Sequence, residues 1–254
     1  MALANSANLP KKHLTAREFV LEGIRDAMLG GRLTAGQELD DHALAATFGV
    51  SRTPVREALK VLEVQGFVTH RAFSKPVVAA ISPARIQEVA LMRIALEGAA
   101  VSRAALTIGE PELKYLERCT GFGLKALQKK DAAAWSHWNR EFHTRLSAAA
   151  GMPLLSREID SLIDLARFYS SMLWREIPHS FHEAQLAHLE IVKACRERKP
   201  ELARKLLEDH LVASCAVQVE IVSGRGFQLV AGPAESPKTV RRGSKRAPAV
   251  AARA

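Results

Sequence analysis

The sequence predicts a mainly α-helical protein, with an N-terminal winged helix-turn-helix domain and a C-terminal all-α helical bundle. Three observations support this fold class: two helical patterns joined by a tight turn within residues 40–65, an extended β-branched run after Gly66, and helical periodicity from Pro83 onward. A chain of 254 residues has room for two domains, each with its own core. The predicted units are 1–80, 81–223 and a C-terminal tail, 224–254.

A first amphipathic helix is predicted over residues 15–29. Gly30 and Gly31 follow it and supply a stop signal, because glycine readily takes the conformations found after helix ends. Its apolar residues recur at helical spacing: Val20, Ile24, Ala27 and Met28.

The helix-turn-helix follows after a short loop. Its first helix begins near Asp40 or Asp41 and ends at Gly49. Its second helix begins at Ser51, a favoured N-cap residue, and tolerates Pro54 because backbone donors in the first turn lack intrahelical partners. The apolar positions are Leu44, Ala45 and Phe48 in the first helix, and Val55, Ala58, Leu59 and Leu62 in the second.

A basic face lies opposite the apolar stripe of the second helix. Arg52, Arg56 and Lys60 recur every four residues, so their side chains share one side of the helix. This pattern fits a helix that binds DNA. Taken alone, it also fits an ordinary helical hairpin with a solvated basic face.

A two-stranded ribbon is predicted next. Its first strand begins in residues 66–69, its second strand lies in residues 75–81, and the tip lies between His70 and Ser74. A ribbon directly after a helix-turn-helix is a wing, which favours the DNA-binding interpretation over the plain hairpin.

The ordered motifs of this region resemble the GntR family of bacterial transcription regulators. The resemblance rests on Gly-x-Leu-x-x-Gly-x-x-Leu at 31–39, on Leu44-Ala45, and on Phe-Gly-Val-Ser-Arg-Thr-Pro-Val-Arg-Glu-Ala-Leu at 48–59. It implies that the second helix enters the major groove of DNA. An arginine fork matches the O6 and N7 atoms of guanine.

The resemblance also implies particular contacts to DNA. Arg52 and Arg56 are the candidates for guanine contacts, and Ser51 and Thr53 are expected near phosphates. In the wing, Arg71 and Lys75 are further candidate contacts.

The net charge of +9 is concentrated at the C-terminus. From Lys238 onward the chain has six basic residues and no acidic one. Residues 224–254 are rich in glycine, proline, alanine and serine without helical period, so we expect a disordered basic tail. It could add sequence-independent phosphate contacts or be dispensable, and the sequence favours neither.

Composition excludes several classes of protein. The apolar runs are short and interrupted by charge, so neither a membrane span nor a signal peptide is predicted, and we expect a cytoplasmic, nucleoid-associated protein. The three cysteines are too few and too widely spaced for a disulfide framework, and we expect them to be core residues: Cys119, Cys195 and Cys215.

The second unit is predicted to contain about six helices. Breaks fall near residues 108–111, 130–131, 151–153, 177–178 and 199–200. Ser180 and Glu183 have the spacing of a capping box, which places a helix start at this point.

Three histidines fall where inward-facing residues are expected. His143 follows Asn139 by four residues, so both side chains share one helix face. His188 and His210 lie on two later helices. These four residues could form a metal shell, although a histidine at any one such position is more often an ordinary core or boundary residue.

The helical unit resembles the FCD ligand-binding domain of the FadR branch of the same family. That resemblance implies one divalent metal bound by Asn139, His143, His188 and His210. Imidazole ligands suit zinc, which we take as the default, as well as nickel or another first-row ion. The usual acidic ligand is an asparagine here, so the metal charge would be uncompensated and would favour a small carboxylate effector.

Arg93 is the candidate residue for binding that effector. It lies on an apolar stripe of its helix, where an arginine needs an anion. The resemblance implies an effector pocket near it, while a pair with Glu97 one turn later, or a stem that reaches the surface, would explain it equally well. His179 and His182 are assigned to the surface.

The leading hypothesis is a homodimeric regulator, acting as a repressor, that binds a pseudo-palindromic double-stranded operator and responds to a small organic acid. One alternative is a DNA-binding dimer whose metal is purely structural. Another is a metallohydrolase built on the helical bundle. The sequence has no phosphate loop, nucleophile elbow or HExxH motif to support an enzyme.

Overall fold

The computed structural model describes residues 14–70, 74–173 and 180–224, and it confirms the predicted fold class. The N-terminal elements are α1 (Ala16–Leu29), α2 (Asp41–Phe48), α3 (Arg52–Val64), β1 (Val68–Thr69) and β2 (Val77–Val78). The bundle consists of α4 (Pro83–Thr107), α5 (Glu110–Gln128), α6 (Ala132–Ala148), α7 (Pro153–Leu173), α8 (Ser180–Arg196) and α9 (Pro200–Ser223).

Helix α1 begins and ends at local signals. Thr15 and Glu18 form a capping box, in which the Thr15 hydroxyl accepts from the Glu18 amide and the Glu18 carboxylate accepts from the Thr15 amide. Gly30 follows the last turn. The predicted apolar face of this helix is buried.

Two further signals set the turn between α2 and α3. Asp40 caps α2 by accepting from the amides of His42 and Ala43, and Gly49 ends it with a positive φ of 66°. Ser51 occupies the N-cap position of α3 as predicted. Among the described residues its hydroxyl caps no backbone donor, so the expected capping bond is absent there.

We expect Gly49→Ala to lower the free energy of unfolding by about 1 kcal/mol, because an L-residue is strained at this positive φ. Gly121→Ala is the matched control. Gly121 lies inside helix α5 with open space around its Cα, so the change should stabilise by about 0.5–1 kcal/mol. Urea denaturation of both variants measures these effects, and equal effects of the two substitutions would contradict this account.

The wing is a short antiparallel ribbon. Val68 pairs with Val78 and Thr69 with Val77. The loop before α2 joins it, since the Leu39 amide donates to the Pro76 carbonyl at 2.8 Å. The predicted tip residue Arg71 lies outside the described residues.

The bundle brings α4, α6, α8 and α9 together around its centre. The predicted helix breaks agree with the observed helix ends, except that the break at 177–178 lies outside the described residues, as does the tail from residue 225. The three cysteines are buried and free, as expected.

A continuous apolar core joins the N-terminal domain to the bundle. The ring of Phe67, next to the wing, packs against Phe168 of α7 with ring centroids 5.6 Å apart. Arg85 of α4 donates to the Gly66 carbonyl and to the Tyr169 hydroxyl, both at 3.2 Å. The first helix of the bundle is therefore hydrogen-bonded directly to the segment that follows α3. Within the described ranges, no helix is long and apolar enough to cross a membrane.

Candidate metal centre and nucleic-acid interface

Three buried histidines from three helices meet at the centre of the bundle. His143 comes from α6, His188 from α8 and His210 from α9. The Nε2 atom of His210 lies 3.3 Å from that of His188 and 3.4 Å from that of His143. One potential ligand atom from each ring lies within 4.8 Å of the others. The structure thus brings together the three histidines singled out in the sequence.

Glu97 of α4 fixes the orientation of His143. Its Oε2 atom lies 2.8 Å from Nδ1 of His143, and its Oε1 atom accepts from Nε of Arg93 at 2.6 Å. Burial would raise the pKa of Glu97, but the neighbouring Arg93 and His143 hold that pKa at about 2. An ionised carboxylate only accepts hydrogen bonds, so Nδ1 of His143 carries a proton. Burial lowers the pKa of His143, which favours the neutral ring and leaves a lone pair on its Nε2 atom, next to His210.

The other two imidazoles are also held neutral. Burial lowers the pKa of His210 to about 3 and that of His188 well below its usual value, and the positive charge of the nearby Arg93 acts in the same direction. Phe142 stacks on the His188 ring with centroids 3.8 Å apart and fixes its plane. Neutral, oriented imidazoles are the form that binds metal ions.

The donor set fits a divalent metal. Three nitrogens that bind one zinc ion tetrahedrally at about 2.05 Å lie about 3.3 Å from one another, close to the two separations observed here. The Glu97–His143 contact is the carboxylate–imidazole pair that commonly supports such ligands. Asn139 lies one turn before His143 on α6 and is half-buried. The three histidines could therefore hold a metal ion.

Arg93 forms the pair with Glu97 that the sequence left open. Its side chain is 12% exposed, and its Nη2 atom is buried without a hydrogen-bond partner in the described part of the chain. Arg93 lines a cavity of about 20 Å³, which has room for about one water molecule. An effector bound by Arg93 would have to widen this cavity.

A larger groove approaches the cluster between α8 and α9. It encloses about 330 Å³, and His210 is part of its wall together with apolar side chains of both helices. That volume is in the range of small-molecule sites. Arg93 does not line this groove. His182 is exposed, as predicted for a surface residue.

The exposed side of α3 carries the predicted DNA contacts. Ser51, Arg52, Thr53 and Arg56 are all exposed. Asp41 of α2 binds both arginines: Arg52 Nη2 lies 3.0 Å and Arg56 Nε lies 2.5 Å from its Oδ2 atom.

Lys75, at the base of the wing, is likewise paired with acidic residues. Its Nζ atom lies 2.8 Å from Asp40 and 4.0 Å from Glu38. Lys75 and Asp40 both line the recess between α3 and the wing, on the same side as Arg52 and Arg56. Three of the predicted DNA contacts, Arg52, Arg56 and Lys75, therefore line one recess.

An ion network crosses from the bundle to the N-terminal domain. Asp164 of α7 accepts from Arg140 of α6 at 2.7 Å and from Arg167 at 3.2 Å, and it lies 3.7 Å from Arg25 of α1. Arg25 in turn donates to the side chain of Gln65, the residue at the C-terminal end of α3. One set of contacts thus links α6, which carries His143, to the end of α3.

Three acidic residues form contacts that the sequence did not predict: Glu97, Asp41 and Asp164. Glu97 was considered only as a partner of Arg93, and Asp41 only as a helix start. Asp164 was not considered. A carboxylate on an apolar helix stripe is a usable signal for Glu97. The partners of Asp41 and Asp164 come from other helices, so no spacing rule reveals them.

A basic helix with a wing, joined to a helical bundle with a buried histidine cluster, defines a DNA-binding protein with a second, all-α domain. Residues 16–72 match the model described as bacterial regulatory proteins, gntR family, and residues 88–213 match the FCD domain. The chain belongs to the GntR family of transcriptional regulators and carries an FCD domain. Members of this family are regulators and not enzymes, so the metallohydrolase alternative was wrong.

Individual relatives agree with this placement. An HTH-type transcriptional regulator from the TAR-I ttuE-ttuC' intergenic region of Agrobacterium vitis is 33% identical over 130 residues, covering 50% of this chain and 76% of that protein. The HTH-type transcriptional repressor RspR of Escherichia coli K12 is 27% identical over 70% of this chain and 78% of its own length. The structure of E. coli McbR/YncC is similar in fold, with a TM-score of 0.72 and 22% identity over 82% of this chain and 99% of that chain.

Proposed function

We propose that this GntR-family regulator is a metal-dependent sensor of a small carboxylic acid that represses transcription until the acid binds. The observation that carries the proposal is the buried cluster of His143, His188 and His210, braced by Glu97. Such a cluster is not needed for DNA binding. It has the donor set and the supporting carboxylate of a metal site.

The residues proposed to hold the metal are the three histidines and Asn139. Zinc is the first choice, and nickel or another first-row ion is compatible with the same ligands. Three neutral imidazoles and an amide leave the metal charge uncompensated, and the charge of Glu97 is balanced by Arg93. An anionic effector would supply that charge, with Arg93 Nη2 as a second contact.

For DNA binding, we propose a homodimer on a pseudo-palindromic operator, with one α3 helix per half-site. Arg52 and Arg56 would read base edges, and Ser51 and Thr53 would contact phosphates. Lys75 and Arg71 would contact the flanking backbone. The spacing of the half-sites would then reflect the two-fold axis of the dimer.

Coupling between the two sites is proposed to run through the domain junction. The Asp164 network connects α6 to Arg25 and to Gln65 at the end of α3. A shift of α6 on effector binding would therefore move α1 and α3 together. The effect on operator affinity can be no larger than the difference in effector affinity between the two conformations.

The direction of control is inferred from a relative. RspR is named as a transcriptional repressor, and it covers most of this chain, so we propose repression here too. We also propose the division into a DNA-binding unit (1–80), a sensory and dimerisation unit (81–223) and a basic tail (224–254), in a protein of the bacterial cytoplasm.

Three observations favour a second candidate, in which the metal is purely structural. The three histidines are buried and Phe142 is stacked on one of them, and the cavity at Arg93 is small. In that case the metal would only stabilise the bundle. Removing the metal would then unfold the bundle, and no carboxylic acid would stabilise the metal-loaded protein.

The test is to measure the metal content of the purified protein by mass spectrometry and then its melting temperature with a panel of small carboxylic acids. The sensor proposal predicts that one acid raises the melting temperature and that a chelator abolishes this rise. A bound metal with no stabilising acid in the panel would favour the structural alternative. Absence of metal would refute the proposed centre.

A further inference from the structure

Asp41 lines the same recess as the candidate DNA contacts Arg52 and Arg56, although a carboxylate is repelled by DNA phosphates. It is the first residue of α2, and its side chain is 23% exposed. It accepts hydrogen bonds from both candidate base-reading residues, Arg52 and Arg56, which come from the next helix. Helix α2 itself is capped by Asp40, so the Asp41 carboxylate is not needed for capping.

The atoms used in these contacts differ between the two arginines. A guanidinium offers two donor forks, Nε with Nη2 at its side and Nη1 with Nη2 at its end. Arg56 contacts Asp41 through Nε, which leaves its end fork complete. Arg52 contacts both oxygens of Asp41 through Nη2, an atom that belongs to both of its forks.

We propose that Asp41 is a positioning residue that determines DNA specificity by holding Arg56 with its end fork presented to guanine and by restraining Arg52. Guanine O6 and N7 accept two parallel hydrogen bonds from such a fork. An arginine fixed before binding loses less side-chain entropy on contact, which favours the one base that fits. This inference rests on the proposed base-reading function of Arg56.

The restraint on Arg52 has its own consequence. Because Nη2 contributes an N–H group to each fork and faces both oxygens of Asp41, either fork of Arg52 would have to compete with Asp41 in a bidentate contact to guanine. It is then better suited to a single hydrogen bond with a phosphate or a base. Of the two arginines, Arg56 is the main source of sequence discrimination.

The test is Asp41→Asn in the full-length protein. Asparagine keeps the size of the side chain but weakens its hold on both arginines, because a neutral amide replaces the carboxylate. Affinity would be measured by fluorescence anisotropy for an operator selected in vitro and for a random duplex of equal length. Asp41→Asn should leave random-duplex affinity unchanged or stronger, since a negative charge is removed, while the ratio of operator to random affinity falls at least about fivefold.

Glu57→Gln is the matched control. Glu57 is exposed on α3, and within the described residues it forms no ion pair, so this change also removes one negative charge near DNA. It should change both affinities by the same factor. A base-by-base scan of the operator should place the loss in Asp41→Asn at the same guanine that depends on Arg56.

Two outcomes would overturn the inference. An unchanged ratio in Asp41→Asn would show that Asp41 acts only through its charge. A tighter operator complex with the ratio retained would show that Asp41 holds the arginines away from DNA. If Arg56→Ala also leaves the ratio unchanged, the base-reading assignment fails as well; if Arg56→Ala lowers it and Asp41→Asn does not, only the positioning function of Asp41 fails.

Discussion

Replacing His143 with alanine is expected to weaken metal binding at least about 100-fold, because loss of even a supporting partner of a ligand costs 10–100-fold. His143 supplies one of three converging Nε2 atoms and is the ring held by Glu97. The purified variant should therefore contain almost no metal. It should also lose any stabilisation by the carboxylic acid, because the proposed anion site depends on the metal charge.

The DNA-binding domain serves as an internal reference for this experiment. His143 lies in α6, far along the chain from α3, and random-duplex affinity of the variant should be unchanged. His182→Ala is the matched control, since that histidine is exposed on α8. Metal content equal to that of the natural sequence in His143→Ala would refute the centre as described.

Glu97→Gln gives a graded version of the same test. The amide keeps the shape of the side chain but can no longer hold both the His143 ring and the Arg93 guanidinium as a charged acceptor. Metal affinity should fall by about 10–100-fold, less than in His143→Ala. A larger loss of metal affinity in His143→Ala than in Glu97→Gln would identify His143 as the ligand and Glu97 as its supporting residue.

Arg56→Ala is expected to weaken operator binding by about 1–3 kcal/mol. The whole loss should arise at one base position in each half-site. The side chain is exposed on α3 and packs into no core, so the fold should be retained. Arg56→Lys makes the test sharper. Lysine keeps the charge but lacks the fork, so it should preserve random-duplex affinity and still lose discrimination at that base.

The expected pattern depends on comparing bases, not only affinities. A base-by-base operator scan should show that the preference for guanine at one position disappears in both variants. Uniform weakening at all positions would mean that Arg56 contacts a phosphate. Lys60→Ala, one turn further along the exposed face of α3, is the control for general loss of positive charge.

Much of the fold could be predicted because local signals set the helix ends. Gly30 and Gly49 follow α1 and α2, and α2 begins at Asp41, within the start that the sequence indicated. The apolar stripes of α1 and α3 are the buried faces of the N-terminal core. Each of these signals acts within a few residues, so one sequence is enough to read them.

The candidate metal site could be predicted only in part. Helical spacing placed His143, His188 and His210 on inner faces, but their convergence depends on how three helices pack. The resemblance to the FCD domain supplied that information. Glu97, which contacts His143, lies on a fourth helix, so helical spacing could not predict this contact. The small size of the cavity beside Arg93 also depends on how the helices pack.

The sequence predicted candidate residues for the DNA interface but not the ion pairs that these residues form within the protein. Arg52 and Arg56 were identified from the α3 pattern alone. Their shared contact with Asp41 requires the angle between α2 and α3, which the Gly49 turn sets. The Asp164 network is likewise a product of tertiary packing among α1, α6 and α7.

The most direct test of the sensor proposal is the operator affinity of the metal-loaded protein with and without the acid that stabilises it. We predict that the acid weakens operator binding by about 5–150-fold, the usual range of coupling between two sites, and that a chelator removes this effect. Unchanged operator affinity in the presence of an acid that still stabilises the bundle would contradict the account.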